Sequence, residues 1–332
     1  MSGSILTRAC FAQLVGSIVL SIFFAHAQAQ EKLTMQTGSL DGVHAALFLA
    51  LQKGWFREAG FDVTIMDGKG SATAIQQVSA GQGDVAYSQL ATMATAIDRG
   101  MSLISIACFV RAGDNGVIVG SQTGIKLPKD LAQKRIAFAT GTASAALMDG
   151  FFKKAGLSRE QMTLVGVDLS ALAALYVSGE VDAAINTIAY FGPIVSSSRP
   201  SHAIPFSEVG IRVPGVGLII RKSDENVKAE TLARFVPVTV RAWKYIFDGH
   251  VEEAVDAMMI QKASNRMDRA VLIGQVKAYL EAFDTPATTG KGIGWQSESD
   301  WLGAIEDLKN AALIEKSWHP KELYTNRFLS KN

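Results

Sequence analysis

The sequence predicts an α/β protein made of two similar lobes that share a cleft. Three observations carry this reading. Short apolar strands alternate with helices over most of the chain, which is the pattern of a mainly parallel sheet. One piece of that pattern occurs twice: Gly81-x-x-Asp84-x-Ala86 is matched by Gly179-x-x-Asp182-x-Ala184, each at the joint between a helix and a strand. Four residues past each Asp stands a polar residue, Ser88 in the first copy and Asn186 in the second. Such residues fall on the sheet edge where open α/β sheets bind ligands.

Taken in order, residues 1–29 read as a secretory signal peptide. Arg8 is the only charge before the apolar run Phe11 to Ala25, and the small-x-small sites Ala25-His26-Ala27 and Ala27-Gln28-Ala29 follow at once. The run is short for a membrane anchor. Cys10 precedes it, which argues against a lipoprotein. Cleavage removes Arg8 and Cys10 and leaves a chain near neutral, with Cys108 as its one cysteine. No intrachain disulfide is then possible. Cys108 sits in the apolar strand Leu103 to Phe109 and reads as an inert core thiol. A formal net charge of +1 gives no reason to expect nucleic acid or an anionic membrane as a partner.

The first lobe opens with strand Leu33–Gln36, the polar loop Thr37 to Gly42 and a helix from Val43 to Lys53 that Gly54 closes. Strand Asp62–Met66 follows. Gly68, Gly70 and Ser71 then form a loop, and Ser71 or Thr73 is expected to cap the next helix. Asp84 to Tyr87 is a strand, and Ser88-Gln89 is expected to open a further helix. Strand Val117–Gly120 leads to the second lobe, with the crossing placed near Val119. There Arg135–Phe138 is a strand, Ala139 to Thr142 a loop, and Ala143 to Lys154 a helix. Ser170 is expected to cap the helix ahead of strand Val181–Ile185. Strand Val216–Ile220 is the return crossing. Helices over 229–248, 251–262, 267–283 and 298–310 pack back on the first lobe, with a kink expected at Pro237. The lobes are therefore 30–118 with 218–332, and 119–217.

Several stretches carry a family resemblance. His44-Ala45-Ala46-Leu47-Phe48-Leu49-Ala50 with Lys53-Gly54-Trp55-Phe56, Glu58-Ala59-Gly60-Phe61-Asp62-Val63, and Ala80-Gly81-Gln82-Gly83-Asp84-Val85-Ala86 are the strongest. Trp301, Ala312-Leu313-Ile314 and Tyr324 to Leu329 extend the match toward the end. The chain resembles the two-lobed (type II) periplasmic solute-binding proteins of ABC importers, of the nitrate/sulfonate/taurine group and its relatives named after thiamine-pyrimidine synthesis. The resemblance implies the two-lobed periplasmic binding protein fold and a periplasmic location. It also implies a small polar or anionic organic solute such as a sulfonate, carboxylate, aromatic acid or pyrimidine. The partner would be an ABC permease in the inner membrane, with the protein acting as a monomer without a cofactor and closing its lobes about the crossing strands. A receptor that reports to a sensor system is the alternative.

The residues expected at the ligand are Ser39, Asp41, His44, Gly70, Ser71, Ser88 and Gln89 from the first lobe. Thr140, Gly141, Thr142, Asn186 and Tyr190 come from the second. Most precede or begin helices, whose first N–H groups are unpaired and carry partial positive charge. Converging helix ends can hold an anion without a cation, and Gly141 lets backbone approach a ligand closely. Each hydroxyl also has a plain role as a helix cap. Asp41 either caps its helix or meets a ligand ammonium. Tyr190 and Phe191 either wall the cleft or fill the core. Lys69 and Arg111 read as solvated charges, and Tyr87 and Trp295 as weaker candidates. Enzyme motifs are missing: there is no His-x-x-x-His, cysteine pair or Gly-x-Ser-x-Gly. A thiamine-pathway relative that acts as an enzyme carries a cysteine-rich iron motif, which one mature cysteine cannot supply.

Overall fold

The computed structural model describes residues 30–68 and 70–329; the expected signal peptide and Lys69 lie outside them. The first part of the chain runs β1 (Glu31–Thr37), a 3-10 turn (Gly42–His44), α1 (Ala45–Gln52), α2 (Trp55–Glu58), β2 (Phe61–Met66), α3 (Ser71–Ser79), β3 (Val85–Gln89), α4 (Leu90–Asp98) and β4 (Leu103–Cys108). The middle runs β5 (Asn115–Gly120), β6 (Arg135–Ala139), α5 (Ala143–Lys154), β7 (Thr163–Val167), α6 (Leu169–Val177), β8 (Ala183–Thr187), α7 (Ile188–Ser196) and β9 (Ser201–Pro205). The last part is β10 (Val216–Arg221), α8 (Asp224–Val227), α9 (Ala229–Phe247), α10 (Val251–Gln261), α11 (Arg269–Glu281), α12 (Glu298–Asn310) and α13 (Pro320–Leu323).

The strands form two sheets of equal design, ordered β2-β1-β3-β10-β4 and β7-β6-β8-β5-β9. In each, the first three strands are parallel and the fourth is antiparallel to the third; in the first sheet that strand, β10, comes from the far part of the chain. β5 pairs wholly within the second sheet and β10 wholly within the first. The crossing expected near Val119 therefore lies earlier, between Cys108 and Asn115. The return is complete before Val216. Periodicity marks both apolar runs as strands but does not say which sheet each joins.

Three apolar clusters hold the lobes. One packs the first sheet against α1, α9 and α10, with Phe48, Phe109, Phe235 and Trp243 inside it. Another fills the second lobe around Leu172, Tyr176 and Phe191. A third is shared between the lobes: it runs from Ala74, Leu90 and Met93 through Leu147 and Phe151 to Trp301 and Leu308 of α12. The C-terminal helices start where their caps are. Asp268 accepts the N–H groups of Ala270 and Val271, and Ser297 accepts that of Asp300. α9 turns Leu232, Phe235, Val236, Thr239, Trp243 and Ile246 inward and stays one helix through Pro237.

Candidate functional site

A cleft of about 370 Å³ opens between the lobes. All twelve residues expected at a ligand line it. Ser39, Asp41, His44, Gly70, Ser71, Ser88 and Gln89 face it from one side, and Thr140, Gly141, Thr142, Asn186 and Tyr190 from the other. Gly38, Val43, Ala72, Tyr87, Thr92, Ala143, Ser144, Leu169, Thr187 and Val216 complete the lining. They come from the same strand ends and first helical turns. Among the described residues, no lysine or arginine lines this cleft.

Several roles differ from those expected. Ser71 is the first residue of α3, whose cap position is Gly70 and has no side-chain cap. Ser88 belongs to β3 rather than to the helix; it is buried, and its hydroxyl reaches the Ser71 carbonyl at 3.5 Å. Gln89 and Thr187 stand at the cap positions of α4 and α7 without side-chain cap bonds. Asp168, not Ser170, precedes α6, again without a side-chain cap. The first turns of α3, α4 and α7 thus lack side-chain caps, though the leading N–H of α4 goes to the Gly215 carbonyl at 2.8 Å and that of α7 to the Asp114 carbonyl at 2.6 Å.

Thr142 is the exception. Its hydroxyl donates to the Ala139 carbonyl at 2.8 Å and accepts from the Ala145 N–H at 3.2 Å. The side chain expected as a ligand donor is instead spent on capping α5. Beside it Gly141 holds φ at +76°, where a Cβ is strained, so a turn there leaves the Thr140–Thr142 backbone facing the cleft. Thr140 itself is exposed, and its hydroxyl leans on the Val167 carbonyl at 3.4 Å.

Asp41 caps the first turn. Its Oδ1 accepts from the Val43 N–H at 2.9 Å and its Oδ2 from the Tyr279 hydroxyl at 3.0 Å. His44 is buried edge-on to Tyr87, with ring centroids 5.5 Å apart. Its Nδ1 accepts from the Asp41 N–H at 3.2 Å, which leaves Nε2 as the nitrogen for any ligand. Tyr87 is fully buried; its hydroxyl accepts from Trp243 Nε1 at 3.0 Å and lies 3.3 Å from the Val43 carbonyl. Burial raises the Tyr87 and Tyr190 hydroxyls, with the Asp41 charge adding to both. Both stay neutral donors.

Asn186 is the most telling group. It is 4% exposed, and its Oδ1 accepts the Thr187 N–H at 2.7 Å. Its Nδ2 is buried with no partner among the described residues. A buried amide nitrogen without an acceptor is costly, and this one belongs to a residue of the cleft wall. Asp114 is the group that sequence reasoning missed. It ends the crossing segment with both carboxylate oxygens buried, and burial together with the Asp41 charge pushes it up to about 7 against the backbone N–H groups of Asp114 and Ala189. A lone acid between two apolar runs was the available signal.

The remaining candidates lie elsewhere. Arg111, expected in solvent, is buried: it donates to the carbonyls of Phe283 and Gly292 and pairs with Asp284. Trp295 is away from the cleft, and Phe191 is core. Cys108 is buried and pushed up to about 12 by burial, so no thiolate is offered.

Comparisons with known proteins agree with this architecture. The chain is 24% identical over 288 residues to the formylaminopyrimidine-binding protein of Halalkalibacterium halodurans, covering 84% of this chain and 86% of that one. It is 26% identical over 143 residues to the 4-amino-5-hydroxymethyl-2-methylpyrimidine phosphate synthase THI13 of Saccharomyces cerevisiae, covering 43% and 42%. The alkanesulfonate-binding protein SsuA of Xanthomonas axonopodis pv. citri, solved with MOPS bound, superposes with a TM-score of 0.65 at 15% identity over 90% of this chain and 99% of that one. That likeness shows the two-lobed periplasmic binding protein fold. The model of the family described as NMT1/THI5 like matches residues 41–253, and the chain belongs to that family.

Proposed function

We propose that the protein is the extracytoplasmic substrate-binding component of an ABC importer, and that its solute is a small polar organic molecule. The cleft is the observation that carries this reading. Two sheets of equal design face each other across a space of about 370 Å³, which suits a ligand of modest size. In this account the sheets define two lobes, the export signal is removed, and the protein meets its permease as a monomer.

The lining favours a neutral or zwitterionic solute. The Asn186 amide and the Tyr190 hydroxyl are donors, and helix N-termini add partial positive charge. Asp41 faces them as an acceptor. An organic solute with an acceptor edge and a donor edge satisfies both sides, as a pyrimidine-like ring or an amino acid-like molecule does. A bare sulfonate satisfies only one. The likeness to a formylaminopyrimidine-binding protein supports the same choice. An enzyme role is disfavoured: the likeness to the yeast synthase covers 43% of this chain, and the one described cysteine is an inert thiol.

A thermal-shift screen of pyrimidines, amino acids, aromatic acids, alkanesulfonates and nitrate tests this. A true ligand at a hundred times its Kd adds about 2.7 kcal/mol of stability. Stabilisation by a pyrimidine or zwitterion is the expected result. Stabilisation by nitrate or simple alkanesulfonates alone would overturn the choice of solute, and conversion of a bound compound to product would overturn the binder reading.

A further inference from the structure

α11 lies between the lobes, against the 42–44 turn of the first and α7 of the second. Its Gln275 is 2% exposed. The side chain is used at both ends: Oε1 accepts from the Gly42 N–H at 2.9 Å, and Nε2 donates to the Tyr190 carbonyl at 2.9 Å. Gly42 belongs to the loop that carries Asp41 and His44 on one wall of the cleft. Tyr190 stands on the other wall. One turn further along α11, Tyr279 donates to Asp41. The fit leaves little slack. A Cβ on Gly42 would fall 2.7 Å from Gln275 Cβ, and one on Gly274 would fall 3.0 Å from Pro193 of α7.

We propose that Gln275 is a positioning residue for ligand binding, a strap that sets the spacing of the two cleft walls. The proposal rests on reading this cleft as the solute site. A buried amide that loses one partner finds no water to replace it. Opening the walls at this edge therefore means breaking the part-buried bond from Gln275 to the Tyr190 carbonyl, while the bond to Gly42 is buried. At α12 the lobes are joined differently, by Lys154 and Asp307 at 2.7 Å with the lysine 37% exposed, and by the apolar cluster that runs from Leu147 and Phe151 to Trp301 and Leu308. At the α11 edge the tie is a directional amide, and Gln275 holds the cleft near its bound width before solute arrives.

The test uses ligand-free protein, so it does not depend on which solute binds. Spin labels at Thr64→Cys on β2 and Thr163→Cys on β7, the strands farthest from β10 and β5 in their sheets, report the interlobe distance by pulsed paramagnetic resonance. Gln275→Leu removes both bonds. Gln275→Glu, measured at pH 9 where the carboxylate is charged, keeps the acceptor for Gly42 but faces Tyr190 with a second acceptor. Both variants should shift the distribution to longer distances than in the wild type. A Gln275→Glu distribution that matches the wild type means the residue serves the first lobe alone, and the proposal fails. Gly274→Ala, which presses α11 off Pro193, serves if either variant does not fold. An unchanged distribution there also overturns the strap.

Discussion

In the first lobe, Asp84 gives its N–H to the Thr34 carbonyl at 2.8 Å and takes the Thr34 N–H on its carboxylate at 2.8 Å. In the second, Asp182 does the same with Arg135, again at 2.8 Å and 2.8 Å. The repeated Asp is thus a clip that fastens the start of the third strand to the first. Four residues on, Ser88 lies opposite Gly217 of β10, and Asn186 lies opposite Gly116 of β5. The scaffold is repeated bond for bond, yet the residues that reach the cleft differ. Ser88 has a long bond to its own lobe, while Asn186 brings an amide nitrogen with no partner. The frame is common to both lobes, and at the equivalent position it is the second that carries an unpaired donor.

That contrast sets the order of expected effects. Asn186→Ala removes the unpaired donor and should cost a bound solute about 1–3 kcal/mol, roughly tenfold to a hundredfold in affinity by calorimetry. Ser88→Ala should cost less, and equal losses would break the asymmetry. Asp84→Ala should lower stability by about 2 kcal/mol in urea unfolding. Asp84 is also paired with Lys228 at 2.7 Å, and although burial works to raise it, the ammonium and the Thr34 N–H hold it below the usual carboxylate range. Asp182→Ala, at a more exposed clip, should cost only about 1 kcal/mol.

Asp114 gives a pH test. Its folded pKa lies above its unfolded value, so the folded state holds the extra proton between about pH 4 and pH 7. Stability should therefore fall as pH rises through that window. Asp114→Asn should abolish this loss, with Tm raised at pH 8 and little changed at pH 4; a gain at pH 4 instead would contradict the assignment. An effect on stability alone is expected at Thr142. Thr142→Val should lower stability by about 1 kcal/mol through loss of a helix cap, with affinity little changed.

Most of the frame was legible in the sequence because its signals are local. The helix expected over 298–310 is found at Glu298–Asn310, started by the Ser297 cap. The strand ends that meet at the cleft were legible from the repeat. The roles of the polar residues were not, because they depend on partners far away in the chain. Gln275 sits in a helix whose pattern says nothing of Gly42 or Tyr190. Arg111 reads as a surface charge until the 283–292 loop supplies acceptors for its guanidinium. Thr142 looks like either a cap or a donor, and only the nearby Ala139 carbonyl decides between them.

The measurement closest to the central claim is a crystal structure with the solute that the screen identifies. One molecule should lie between the lobes, accept a hydrogen bond from the Asn186 amide of the second lobe and touch Ser88 of the first. A solute bound outside the cleft, or seated in it with Asn186 Nδ2 still unpartnered, would contradict it.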